Sequence, residues 1–142
     1  GGYLVAAARA LFTNAALNLD IAVNAAEAGC ATRISRSCCL FSFANTPSFG
    51  CGLRIAPNAR LDDGQLDCII ADAMSTRRLV RAAISLLRGT HLQLKEVHSI
   101  RAETLRIESD PPSAVYADGE FVCETPVQVR ISPRALRVLR PD

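Results

Sequence analysis

The chain has no C-x-x-C pair. Its six cysteines lie at positions 30, 38, 39, 51, 68 and 123, and only His91 and His98 could complete a metal set with them. That spacing excludes a structural zinc module. Cys38, Cys39 and Cys68 sit inside apolar runs, where a thiol behaves as a small hydrophobe, and free thiols fit a reducing cytoplasm. No apolar run approaches the ~20 residues that a membrane-spanning helix needs. A secretory leader is not expected, because Gly1-Gly2 passes directly into an alanine-rich segment; the missing initiator Met suggests a piece of a longer chain. Low-complexity tracts and single-sign charge blocks are lacking, which argues against disorder. The net charge of +2 gives no support to a nucleic-acid-binding surface. Neither G-x-x-x-x-G-K-[ST] nor a G-x-G-x-x-G opening a helix occurs, so no known phosphate cradle is encoded. Gly50-Cys51-Gly52 is too short and precedes an apolar strand.

What is present is an aliphatic chain of one-domain size, 142 residues and 49% apolar, long enough to bury a real core. Residues 1–16 read as a leading helix, rich in alanine, with Leu4, Ala8, Leu11 and Phe12 on one face. Leu17 to Asn24 alternates strictly and predicts a half-buried strand. Glu27-Ala28-Gly29 then turns the chain into a second strand around Cys30 to Ile34. Ser37 to Ala44 reads as a buried strand, Leu53 to Ala56 as a short one, and Leu66 to Ala71 as another. Ser75 is the expected N-cap of a helix over 75–88, stopped by Gly89, with Leu79, Ala83, Leu86 and Leu87 as its apolar stripe. Thr104 to Glu108, Val115 to Ala117, Val127 to Ile131 and Leu136 to Leu139 complete a series of short strands. Many strands, helices at two places and no βαβ rhythm imply a mainly β fold, an antiparallel β-sandwich with one or two flanking helices.

Three segments carry possible chemistry. Asp62-Asp63-Gly64 lies between Leu61 and Leu66, and its carboxylates and freed carbonyls are the hard oxygen donors that Mg²⁺ or Ca²⁺ prefers. Asp-Gly is also a common hairpin signal, with glycine supplying the positive φ. Asp118-Gly119-Glu120 has the same double reading: a plain turn, or a carboxylate held rigidly as a general base or over a metal. The third segment is Arg88-Gly89-Thr90-His91-Leu92. Arg77, Arg78, Arg81 and Arg88 give the helix a basic face, either solvated or turned to anionic membrane.

The order and wording of F-A-N-T-P-S-F-G-C-G-L-R-I-A-P-N-A-R-L-D-D-G-Q-L-D, L-L-R-G-T-H-L, I-E-S-D-P-P-S-A-V-Y-A-D-G-E and I-S-P-R-A-L-R-V-L resemble the C-terminal domain of the diacylglycerol kinase catalytic-domain family. That family includes bacterial lipid kinases and the sphingosine and ceramide kinases. The resemblance runs from about Leu17 to Leu139. It implies an ATP-dependent lipid kinase of two domains, in which a G-G-D-G-T loop on an N-terminal domain holds the nucleotide and a C-terminal β-sandwich supplies the lipid pocket. Nothing here matches G-G-D-G-T, so the expected piece is the C-terminal domain alone, without turnover by itself. The resemblance places Mg²⁺ on Asp63 with the carbonyls of Arg60 and Gln65. It makes Glu120, beside Asp118, the proton acceptor of bacterial members, or a nucleotide and metal contact as in the sphingosine branch. Asn45, Gly50, Gly52 and His91 fall on the substrate side. Cys51 departs from the usual three glycines, and its Cβ restricts a backbone that uses glycine freedom.

The implied partners are a lipid substrate, the chain's own N-terminal domain and, peripherally, the inner membrane surface; the implied location is the cytoplasm. An exposed sheet edge could also pair two copies. The competing class is a lipid-binding or regulatory module without catalysis. A kinase for a soluble small molecule, on the plan of the NAD kinases, is not expected to pair R-G-T-H-L with D-G-E.

Overall fold

A computed structural model describes residues 16–23, 32–48, 52–133 and 135. The leading helix, the turn at 27–29, Gly50, Cys51 and the closing segment at 136–139 lie outside the described residues. Strands β1 (Leu17–Val23), β2 (Thr32–Ala44), β3 (Leu66–Asp72), β4 (Val97–Ala102), β5 (Thr104–Asp110) and β8 (Val127–Arg130) form one antiparallel sheet in the order β4-β3-β2-β1-β5-β8. Strands β6 (Ala114–Ala117) and β7 (Glu120–Glu124) form a separate two-stranded hairpin. Helix α1 spans Thr76–Leu87, and a short 3-10 helix follows at His91–Gln93. The architecture is mainly β and antiparallel, as the strand pattern implies.

Alternation decides which side of the sheet is core. Leu19 and Ile21 of β1, Leu66, Cys68 and Ile70 of β3, Ala102 of β4, and Leu105 and Ile107 of β5 are buried together on one face. Among the described residues the opposite face is covered near β3, where Ile69 packs with Ile55, Ala56 and Ala59 of the long β2–β3 connection and with Leu86, Leu92 and Val97. Burying such side chains stabilises the domain by about 1.5–3 kcal/mol each.

Three expectations change. The described residues of the two expected runs, 32–34 and 37–44, are parts of a single strand, β2. Its register on β3 shifts between Cys38 and Leu40, so Cys39 is an extra residue that the ladder absorbs as a bulge. Leu53 to Ala56 is not a strand: Ile55 N–H bonds back to Leu53 O at 3.0 Å and Ala56 N–H bonds to Pro47 O at 3.4 Å. With Pro57 next and unable to donate, the segment folds on itself and makes no more than a single bridge, at Leu53. Leu87, read as part of the helix's apolar stripe, is exposed, and so is Leu61 before the acidic turn. Ser75 does occupy the N-cap position of α1, in extended conformation, but makes no side-chain capping bond.

Candidate functional site

The first acidic turn leads directly into β3. Gly64 takes a positive φ of 72°, and Gln65 N–H donates to Asp63 Oδ1 at 3.0 Å, an Asp side chain bonding its own backbone two residues on. Arg101 of β4 donates to Asp63 Oδ2. Arg101 is also the cross-strand partner of Asp67, with Nε 3.7 Å from Asp67 Oδ1. One guanidinium therefore gathers both carboxylates. Arg60 reaches the neighbouring Asp62 at 3.8 Å, and both are well exposed, so that pair adds little.

Asp67 is the residue that sequence reasoning missed. It is only 2% exposed, and its Oδ2 has no hydrogen-bond partner. Burial pushes its pKa up, and the Asp63 charge pushes the same way; Arg101 pulls it down without cancelling the burial. The signal in the sequence is an acid on an alternating position of an otherwise apolar strand, L-D-C-I-I-A.

His91 is held by the end of α1. Gly89 takes a positive φ of 71°, with Gly89 N–H bonded to Leu86 O at 3.0 Å and Thr90 N–H to Ser85 O at 2.8 Å. This pair of bonds is the Schellman helix stop. It turns the chain so that the imidazole goes inside. His91 is 4% exposed, and its Nε2 donates to Ile55 O at 2.8 Å while Nδ1 has no partner. The carbonyl can only accept, so the proton is on Nε2. His91 thereby anchors the β2–β3 connection from within. Asn45 follows Ala44, the β2 partner of Asp67, and its Oδ1 is likewise buried without a partner. Gly52 has a positive φ of 79° with open space where a Cβ would stand; Gly50 lies outside the described residues.

Asn45 Oδ1, Asp67 Oδ2 and His91 Nδ1 are the buried side-chain polar atoms without partners among the described residues. Asn45 and Asp67 flank the β2–β3 connection, and His91 touches it through Ile55. Buried polar atoms are ordinarily satisfied, and each of these is a point where water, a cation or a polar ligand group would bind. Asp63 and Asp67 offer carboxylate oxygen, the ligand type that a hard divalent cation prefers, and the free Asp67 oxygen is the observation in its favour. The Arg101 guanidinium shares Asp63 with any such cation.

The second acidic turn caps its own hairpin. Asp118 and Gly119 both take positive φ, 48° and 88°, the pairing that a type I′ turn demands. Ala117 faces Glu120 in the ladder, and both Asp118 and Glu120 are exposed. The hairpin base is tied by Thr125 N–H to Ser113 O and Ser113 N–H to Thr125 Oγ1, each at 2.9 Å. At the other end of β3, Asp72 accepts from His98 Nε2 at 2.8 Å and from Arg36 at 3.2 Å; five strand residues put that cluster roughly 17 Å from Asp67.

Fold and site define an antiparallel, mainly β module that presents two rigid acidic turns. Residues 2–140 match the family described as the YegS C-terminal NAD kinase beta sandwich-like domain, and the chain belongs to that family. It is 44% identical over 102 residues to a diacylglycerol kinase of Mycobacterium tuberculosis, covering 72% of this chain and 33% of that protein. It is 27% identical over 82 residues to a diacylglycerol kinase of Bacillus subtilis, covering 58% and 27%. The fold is shared with a diacylglycerol kinase structure from Bacillus anthracis: TM-score 0.63, 17% identity, 87% of this chain and 42% of that one. The chain thus spans about a third of the length of the curated relatives it matches. Among the described residues no helix is long and apolar enough to cross a membrane.

Proposed function

We propose that the chain is the lipid-substrate and active-site domain of an ATP-dependent lipid kinase, one that transfers the γ-phosphoryl group to the hydroxyl of a diacylglycerol- or sphingosine-type lipid. The observation that carries this reading is the 44% identity to a protein named diacylglycerol kinase. The geometry supports it. Phosphoryl transfer asks little covalent chemistry of a protein and much positioning and charge stabilisation. A solvent-facing Glu120, at the start of β7 and beside a turn fixed by Asp118 and Gly119, can approach a bound hydroxyl and take its proton as the oxygen attacks phosphorus. Asp63 and Asp67, with the carbonyls of Arg60 and Gln65, would hold Mg²⁺. A bound cation there would add positive charge beside the carboxylates and stiffen the turn. Arg101 keeps the two carboxylates together in either state, and His91 fixes the connection above them. Nucleotide is bound mainly by an N-terminal domain of the full enzyme, so this domain by itself turns nothing over.

The test joins the domain to its natural upstream sequence and measures transfer of ³²P from γ-labelled ATP to a lipid panel. Wild type is expected to label one lipid class, with a loss of at least about 100-fold in Glu120→Gln and a large loss in Asp63→Asn. A folded protein that labels no lipid yet still binds vesicles would replace this reading with the lipid-binding module.

A further inference from the structure

Helix α1 has three faces. Leu79 is buried and Leu86 packs on the β2–β3 connection. Turned away from that contact, Val80, Ile84 and Leu87 are 55%, 44% and 78% exposed. Their spacing of four and three residues puts them in one stripe along the helix. Arg77, Arg81 and Arg88 fall on the strip beside it, at about 100° of rotation per residue, and all three are exposed. They have no carboxylate partner among the described residues, whereas Arg78 pairs with Glu96 at 3.3 Å. Arg78, Arg81, Lys95 and Glu96 also line an open pocket of about 390 Å³ at the start of the helix.

Two features oppose the helix's own stability. Arg77 and Arg78 stand in its first turn, which carries no acid and no side-chain cap, at the positive end of the helix dipole where cations are disfavoured. A three-residue apolar stripe faces out beside them. An anionic, partly apolar partner offsets both costs. We infer that this face of α1 is a docking surface for anionic lipid bilayers, with Val80, Ile84 and Leu87 entering the headgroup–acyl boundary and Arg77, Arg81 and Arg88 meeting lipid phosphates. An interfacial helix joins a basic strip to an apolar one in this way, and each arginine near an anionic surface contributes about 1 kcal/mol. The docking surface is independent of the kinase reading, because vesicle binding reports it without any phosphoryl transfer.

The experiment is co-sedimentation of the whole natural polypeptide with phosphatidylcholine vesicles, with and without phosphatidylglycerol. Wild type should bind the anionic vesicles and be weakened by added salt. Replacing Arg77, Arg81 and Arg88 together by Gln should weaken that binding about 100-fold, from three charges. Leu87→Ser and Ile84→Ser should weaken it on the same vesicles while leaving the unfolding temperature unchanged. Binding that is indifferent to the arginine replacements overturns the proposal. So does a Leu87→Ser protein that binds as wild type but melts lower, since the stripe would then be packed inside the protein.

Discussion

His91 and Ile55 meet in one buried hydrogen bond: Nε2 of the imidazole donates to the Ile55 carbonyl at 2.8 Å. The bond joins the end of α1 to the connection that carries Asp62-Asp63-Gly64. Its loss strands a buried carbonyl, and a buried acceptor without a partner costs about 1–3 kcal/mol. His91→Ala is therefore expected to lower the urea midpoint by about 2 kcal/mol in stability. An unchanged midpoint would mean that the connection holds its shape by apolar packing alone.

Asp67 gives a pH dependence of determined sign. Its pKa is raised in the folded protein, chiefly by burial, so the native state holds its proton more tightly than the unfolded chain. The stabilisation is complete below the ordinary value of 3.8 and is lost as pH rises through the elevated one. In EDTA, Asp67→Asn should be more stable than wild type at pH 7, and the gap should close as the pH falls toward 3.8. Thermal melts across that range decide it; a gap that widens on acidification would reverse the assignment.

Mg²⁺ should act on the same residues. Added to EDTA-stripped wild type it should raise the unfolding temperature, by about 2.7 kcal/mol of stability at a concentration 100-fold above Kd. Asp63→Asn should lose the response. A shift of equal size in both proteins would move the cation off this turn.

The cysteines make a chemical prediction. Burial drives the Cys38 thiol up to about 11 and the Cys68 thiol to about 12, helped by Cys39 and Asp72 in the first case and by Asp67 in the second. The thiolate is the nucleophile. Iodoacetamide at pH 8 should leave both residues unmodified in the native protein and alkylate both in guanidinium, as read by peptide mass mapping. Native labelling at either site would show that β2 or β3 opens readily.

Gly89 tests the helix stop. A Cβ there would meet nothing within 4 Å, so only its positive φ of 71° is at stake. Gly89→Ala should cost about 1 kcal/mol in thermal unfolding, with Asn milder. A neutral Ala would mean that the stop can be remade with another backbone geometry.

Much of this architecture is legible in the residues. Alternation in Leu17 to Val23 and around Leu105, the apolar run of β3, and the Arg88-Gly89 stop of α1 all mark their elements, because each rests on local periodicity or on a glycine's φ. Strand β4, V-H-S-I-R-A, has no legible bounds, since His98 and Arg101 blur its pattern; their partners, Asp72 and Asp67, lie on another strand. Strand β7 is legible only where it leaves the Asp118-Gly119 turn. The two Asp-Gly turns were legible as turns. What could not be read was that Arg101 would reach Asp63, or that Asp67 would be buried beside it, because both depend on the pairing of β3 with β4.

The bulge at Cys39 changes what an insertion or deletion means in this chain. Before it, even-numbered residues such as Ile34 and Cys38 face the core; after it, the odd-numbered Phe41 and Phe43 do. Strand β2 meets β1 through its first half and β3 through its second, with Cys38 paired to both Leu17 and Asp72. It is a splice between two pieces of sheet that keep separate counts. Removing Cys39 would merge the two counts into one unbroken alternation with both phenylalanines still facing the core, whereas keeping the residue without the bulge would turn them outward.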